Sequence, residues 1–198
     1  MASSRSSGCG TPIVQVGEAD LDNELWRFAC SFYSEHGVSP ACLILQDKLG
    51  IDVGILLFAI FAQVKRGILL DTNDLRMVDN IVRDWRGEIV QTLRRVRTRL
   101  KNGPRPAPSS VTEGLRNRLK AAELEAEQIE LALLADWLDR QPPRPANAVD
   151  AKAVPLTVAR YFRAQTSEKP FAPEVDRALR ALSQAIHEMS TRKDVRQS

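Results

Sequence analysis

The sequence predicts an all-α protein: a compact helical bundle, then a long amphipathic helix, then a short helical tail. Three observations carry this reading. Apolar residues recur at three- and four-residue spacing through almost every segment. Alternating Val/Ile/Thr stretches of the strand type are nearly absent. Val53 to Ala62 holds no charge, yet a membrane span needs about 20 apolar residues. So short a stretch belongs at the centre of a bundle, with other helices around it.

The elements follow in order. Residues 1–19 read as a flexible tail with no secretory signal, and residues 20–101 as a helical core domain. The first helix is expected from about Asp20 to His36, on the stripe Leu21, Leu25, Phe28 and Phe32, with Gly37 ending it. The second begins at Ser39-Pro40, a cap followed by proline at the first helical position. It carries Ala41, Leu43, Ile44, Leu45 and Leu49, and Gly50 stops it. Asp52 caps the third, which ends at Lys65, Arg66 and Gly67, with basic residues suited to the helix dipole. The fourth runs to Trp85 on Leu75, Val78, Ile81 and Val82, capped by Asp71 or Thr72. The fifth runs to Lys101 on Ile89, Leu93, Val96 and Leu100, and the two read as one helix bent near Gly87. Residues 102–110, rich in proline, form a linker.

Residues 111–140 predict one long helix. Leu115, Leu119, Ala122, Ala126, Ile129 and Leu133 step by fours and threes, a coiled-coil spacing. That length exceeds a small domain, so part of it is expected to pack against a partner or a second copy. Residues 141–198 form a proline-rich linker and two further helices, the last on Val175, Leu179, Leu182, Ile186 and Met189.

Composition narrows the class. The net charge of +3 is too mild to require nucleic acid. Cys9, Cys30 and Cys42 are odd in number and match no metal spacing, so a reduced, cytoplasmic protein is expected. No Gly-rich phosphate loop, no Gly-x-Ser-x-Gly elbow and no His-Glu-x-x-His is present, so nothing calls for a cofactor or a metal. Cys42 and His36 do not read as a nucleophile and its base, and His187 reads as a surface residue. Glu123, Glu127 and Glu130 fall on one side of the long helix and read as a solvated acidic face.

Several strings resemble a bacterial family: Trp26-Arg27-Phe28, Ala41-Cys42-Leu43, Leu45-Gln46-Asp47, Gly50-x-Asp52-Val53, Leu56-Leu57-Phe58 and Trp85-Arg86. Leu93-Arg94-x-x-Arg97 and the run Leu115 to Glu130 extend it. The family is similar in being small, cytosolic and all-helical, and is known as a domain of unknown function. The resemblance covers about Leu21 to Leu134 and implies the fold but no activity. The chain departs from it at Gly54 and Phe61, where Asn and Trp are expected.

Three functional expectations result. The first is a non-enzymatic protein working by protein–protein contact, with a protein partner or as a homo-oligomer, through Leu119, Ile129 and Leu133. The alternative is a nucleic-acid-associated protein. Its basic patch would be Arg94, Arg95, Arg97, Arg99, Lys101, Arg116, Arg118 and Lys120, a run opposed only by Glu113. The third is a small-molecule enzyme or binding protein with a polar site at Gln46, Asp47 and Asp52, with Arg86 as their partner. Against it stands the simpler role of Asp52 as a helix cap, which contributes about 1 kcal/mol.

Overall fold

The computed structural model describes residues 20–142, 150–164 and 170–197. The expected N-terminal tail with Cys9, and most of the second proline-rich stretch, lie outside the described residues. What is described is helical, as the spacing predicts: α1 (Glu24–Tyr33), α2 (Val38–Leu49), α3 (Val53–Arg66), α4 (Thr72–Trp85), α5 (Gln91–Arg99), α6 (Ser110–Asp139), α7 (Val154–Ala164) and α8 (Pro173–Gln197).

Local chemistry sets the ends. Asn23, not Asp20, starts α1, its side chain accepting from Trp26 N at 2.9 Å. In α2 the cap is Gly37, at φ +80°, so Ser39 and Pro40 sit inside the first turn. Proline is tolerated there because first-turn N–H groups have no helical partner. Asp52 caps α3 as expected, accepting from Ile55 N at 2.8 Å. Asp71 and Asp74 form a reciprocal capping box on α4. The expected bend near Gly87 is a π-helical turn, Arg86–Val90, joining α4 to α5 without a break. Ser109 and Thr112 box the start of α6.

The core centres on α3. Phe58, Ile55, Leu56 and Ile60 are fully buried, with Phe32 of α1, Leu45 of α2 and Leu75 of α4. Helices after the linker join the same core through Leu134 of α6, Val158 and Ala159 of α7, and Val175, Leu182 and Ile186 of α8. Trp137 meets Phe58 edge-on at 6.0 Å.

Helix α6 departs from the expected orientation. Its spacing is as read, but the buried face lies one residue later: Glu123, Ala126, Glu130, Leu131, Leu134 and Leu138. Leu119, Ile129 and Leu133 are half-buried, and Leu115 is exposed. The acidic side is therefore not a solvated face, since Glu123 and Glu130 are buried. For Glu123 the reason is electrostatic: Arg94 and Arg97 of α5 lie opposite it.

Candidate functional site

A chain of charged side chains runs between α6 and the α4–α5 unit. At its inner end Arg86, the first residue of the π turn, donates from Nη2 to Asp79 Oδ1 at 2.8 Å. Its Nη1 lies 3.5 Å from Asp52 Oδ2 and makes no hydrogen bond. Asp79 also accepts from Arg83 at 3.0 Å and from the Tyr161 hydroxyl at 3.1 Å. Burial alone would raise the Asp79 carboxyl, but the hydrogen bonds from Arg86 and Arg83 outweigh it and hold it below its ordinary value.

Glu130 is only 4% exposed, and its Oε1 has no hydrogen-bond partner. Burial first, and the Asp52 carboxylate second, push it up to about 9. A third charged carboxylate beside Arg86 would have no cation to balance it, so Glu130 keeps its proton at neutral pH. A Cβ on Gly54 would lie 3.0 Å from Asp52 Oδ1 and 3.2 Å from Glu130 Oε1. Glycine thus leaves open the space into which the two acids reach.

At the outer end Arg94 donates from Nε to Glu123 Oε1 at 2.8 Å and pairs with Glu127. Arg97 bonds both oxygens of Glu123. Burial would raise Glu123, but the bonds from Arg97 and Arg94 lower it. These pairs hold α5 against α6 as an antiparallel hairpin. Trp85 adds a hydrogen bond from Nε1 to the Ala126 carbonyl at 2.9 Å.

The structure joins some of the expected residues and separates others. Asp52 and Arg86 meet. Asp47 is exposed and makes no ion pair with Arg86; Gln46 instead lines a groove of about 580 Å³ with Gln91, Arg94, Arg95, Thr98 and Arg99. Of the basic patch, Arg94 and Arg97 are engaged by Glu123 and Arg116 by Glu113, whereas Arg95, Arg99, Lys101, Arg118 and Lys120 are exposed. Leu133 leans on the core. Burial pushes the Cys42 thiol up to about 12, which suits a small core residue and not a nucleophile. Among the described residues no group of three or more His, Cys, Asp or Glu could hold a metal, and no helix is long and apolar enough to cross a membrane.

Asp79 and Tyr161 escaped the sequence, and Glu130, expected on a solvated face, is buried in the seam. A signal existed for two of them. Asp79 sits one turn after Leu75, beside Val78 and Val82 on the inward stripe of α4, and Glu130 lies one turn from both Ala126 and Leu134. An acid within an apolar stripe implies a buried partner.

The helices α1 to α6, with this seam between them, coincide with a match to the family described as "Protein of unknown function (DUF2390)", over residues 24–142. The chain belongs to this family. No curated protein and no solved structure matches the chain. The DUF2390 region ends just past α6, so α7, which supplies Tyr161 to the seam, and α8 lie outside it.

Proposed function

We propose that this DUF2390 protein works by protein–protein contact, through one face of the α5–α6 hairpin, and that the contact is with a second copy of itself. The observation that carries this is an apolar strip left in solvent. Ile89 and Val96 are 38% and 45% exposed, and Val111 and Leu115 are 81% and 41% exposed. At about 100° per residue, Leu93 and Leu100 fall in line with the first pair, and Leu119 and Ala122 with the second. The Arg94–Glu123 and Arg97–Glu123 pairs fix how the helices face each other, which puts both strips on the same side of the hairpin. The other side, toward α2, carries Arg95, Thr98 and Arg99. An apolar side on a hairpin with a charged reverse marks an interaction surface.

Self-complementarity argues for a second copy. The strip on α6 reads alike in both directions from Ala122: Leu115 lies as far before it as Ile129 lies after, whereas Leu133, the counterpart of Val111, leans on the core. On the rim of that strip, Arg118 lies four residues before the same point and Glu125 three after it. An antiparallel two-fold pairing of α6 therefore sets apolar against apolar and Arg118 against Glu125 of the partner subunit. Two hairpins face to face make a four-helix bundle.

The test is solution mass by sedimentation equilibrium. The wild type is expected as a dimer. Val96→Asp with Leu115→Asp should give a folded monomer. Arg118→Glu should weaken the dimer, and adding Glu125→Arg should restore it. A monomeric wild type at high concentration would remove the reading.

A second reading is nucleic-acid binding by the groove of Arg95, Thr98 and Arg99 with Gln46, favoured by the exposure of those arginines. It expects affinity that falls steeply with salt and is lost in Arg95→Glu/Arg99→Glu. The pairing of Arg94 and Arg97 with Glu123 leaves it the smaller footprint.

A further inference from the structure

A second hollow lies between α4 and α7. Its volume is about 730 Å³, a size within the usual range for small-molecule sites, roughly 300–1,000 Å³. Helix α4 supplies Arg76, Asn80 and Arg83, and α7 supplies Thr157, Arg160 and Tyr161. Every one of these side chains can donate a hydrogen bond. Among the described residues no carboxylate lines the hollow.

We infer that this hollow is a binding site for a small molecule carrying phosphate groups, most simply a diphosphate. Three guanidiniums gathered around one space repel each other, and an anion between them removes that repulsion. Among the described residues, two of the three have no acid to neutralise them. Arg76 is bonded only to the neutral Asn73 side chain, at 3.2 Å. Arg160 is exposed and makes no ion pair with the described residues. Arg83 gives one nitrogen to Asp79 and keeps the rest of its fork. Guanidinium is planar and presents paired donors, which matches the oxygens of phosphate better than a lysine would. Neutral donors at Thr157 and Asn80 complete a cradle suited to a polyanion.

The hollow is held in place from beneath. The Tyr161 hydroxyl and Arg83 both bond Asp79, which is anchored by Arg86. Asp79 is thus occupied by three donors and is not among the residues that line the hollow. One wall of the site also comes from α7, beyond the region matched by the family. The ligand is therefore a property of this longer chain and not of the family domain alone. The inference does not depend on the hairpin contact, which uses other helices.

The experiment is isothermal titration calorimetry of the full chain with pyrophosphate at low ionic strength. Saturable binding is expected, with a dissociation constant at or below about 1 mM, a free energy of roughly 4 kcal/mol. Arg76→Ala with Arg160→Ala should weaken it by about tenfold or more, equivalent to roughly 1.4 kcal/mol. Arg95→Ala with Arg99→Ala should leave it unchanged. Both pairs are exposed, so thermal melting should show each variant folded. Arg160→Lys keeps the charge and the fold but loses the fork, and should weaken binding several-fold. Absence of saturable binding overturns the site. So does binding that survives loss of Arg76 and Arg160, or that vanishes only when Arg95 and Arg99 are replaced.

Discussion

The two halves of α6 share one spacing and do opposite work. From Glu123 onward the helix buries Ala126, Glu130, Leu131, Leu134 and Leu138 against α3 and the rest of the core. Before Glu123 only Thr112 is buried, and Val111 and Leu115 stand in solvent. Helix α5, its partner over that first half, buries none of its residues. The difference teaches that a heptad stripe identifies a helix and its contact faces but not which face meets the core. In α6 two neighbouring faces were available. The one that turned inward carries two glutamates: Glu123 is met by Arg94 and Arg97 of α5, and Glu130 is buried as the neutral acid.

The largest expected effect breaks that electrostatic choice. Arg86 is mostly buried between Asp79 and Asp52. Arg86→Met keeps the bulk of the side chain and leaves Asp79 charged and short of a partner. Removing one member of a buried pair typically costs about 3–5 kcal/mol. Urea unfolding should show a loss in that range. A loss well below it would mean that the seam follows the fold rather than setting it.

The next effect compares the two halves directly. Leu134 is fully buried, whereas Leu115 is 41% exposed. Leu134→Ala should cost about 2–5 kcal/mol. Leu115→Ala should stay within about 0.5 kcal/mol of the wild type at concentrations where the chain is monomeric. Equal losses would abolish the distinction between the halves.

Glu130 gives a pH signature. The folded chain holds its proton up to about 9, while an unfolded chain releases it near the ordinary glutamate value, roughly 4.3. Between those values the folded state binds more protons, so stability falls as pH rises through the window. Glu130→Gln keeps the shape and cannot ionise, so its stability should be flatter over that range in urea titrations at successive pH values. A variant as steep as the wild type would place the proton on another group. Asp79 and Glu123 act in the opposite direction. Their lowered values give stability that is present above the ordinary carboxylate pKa and lost as pH falls below it, so the acid limb should persist in the variant.

The fold was legible because its signals are local. Asp52 as the cap of α3, the uncharged Val53–Ala62 stretch and the glycines at 50 and 67 can each be read within one turn. The seam was only half legible. Asp52 with Arg86 could be guessed from nearness to the apolar centre. The joining of Arg94 to Glu123, and of Tyr161 to Asp79, depends on how distant helices dock, and sequence spacing carries no trace of that. Asp47 shows the reverse error: it neighbours the centre in sequence, yet it points to solvent because α2 buries Cys42 and Leu45 on its other side.

The smallest expected effect tests how closely the seam is fitted. Glycine in a helix costs about 1 kcal/mol relative to alanine, so Gly54→Ala ought to stabilise α3 if nothing stood near it. Here the added methyl would meet Asp52 Oδ1 at 3.0 Å and Glu130 Oε1 at 3.2 Å. Asp52 Oδ1 is also the atom that accepts from Ile55 N. It cannot retreat without weakening the cap, itself worth about 1 kcal/mol, and Glu130 is packed too deeply to move aside. The two penalties together exceed the propensity gain, so Gly54→Ala should lower stability by about 1 kcal/mol. In the Glu130→Gln background the methyl still meets Asp52, and the loss should remain. If the substitution stabilises the protein instead, the two acids have room to separate, and the seam is more loosely fitted than the distances imply.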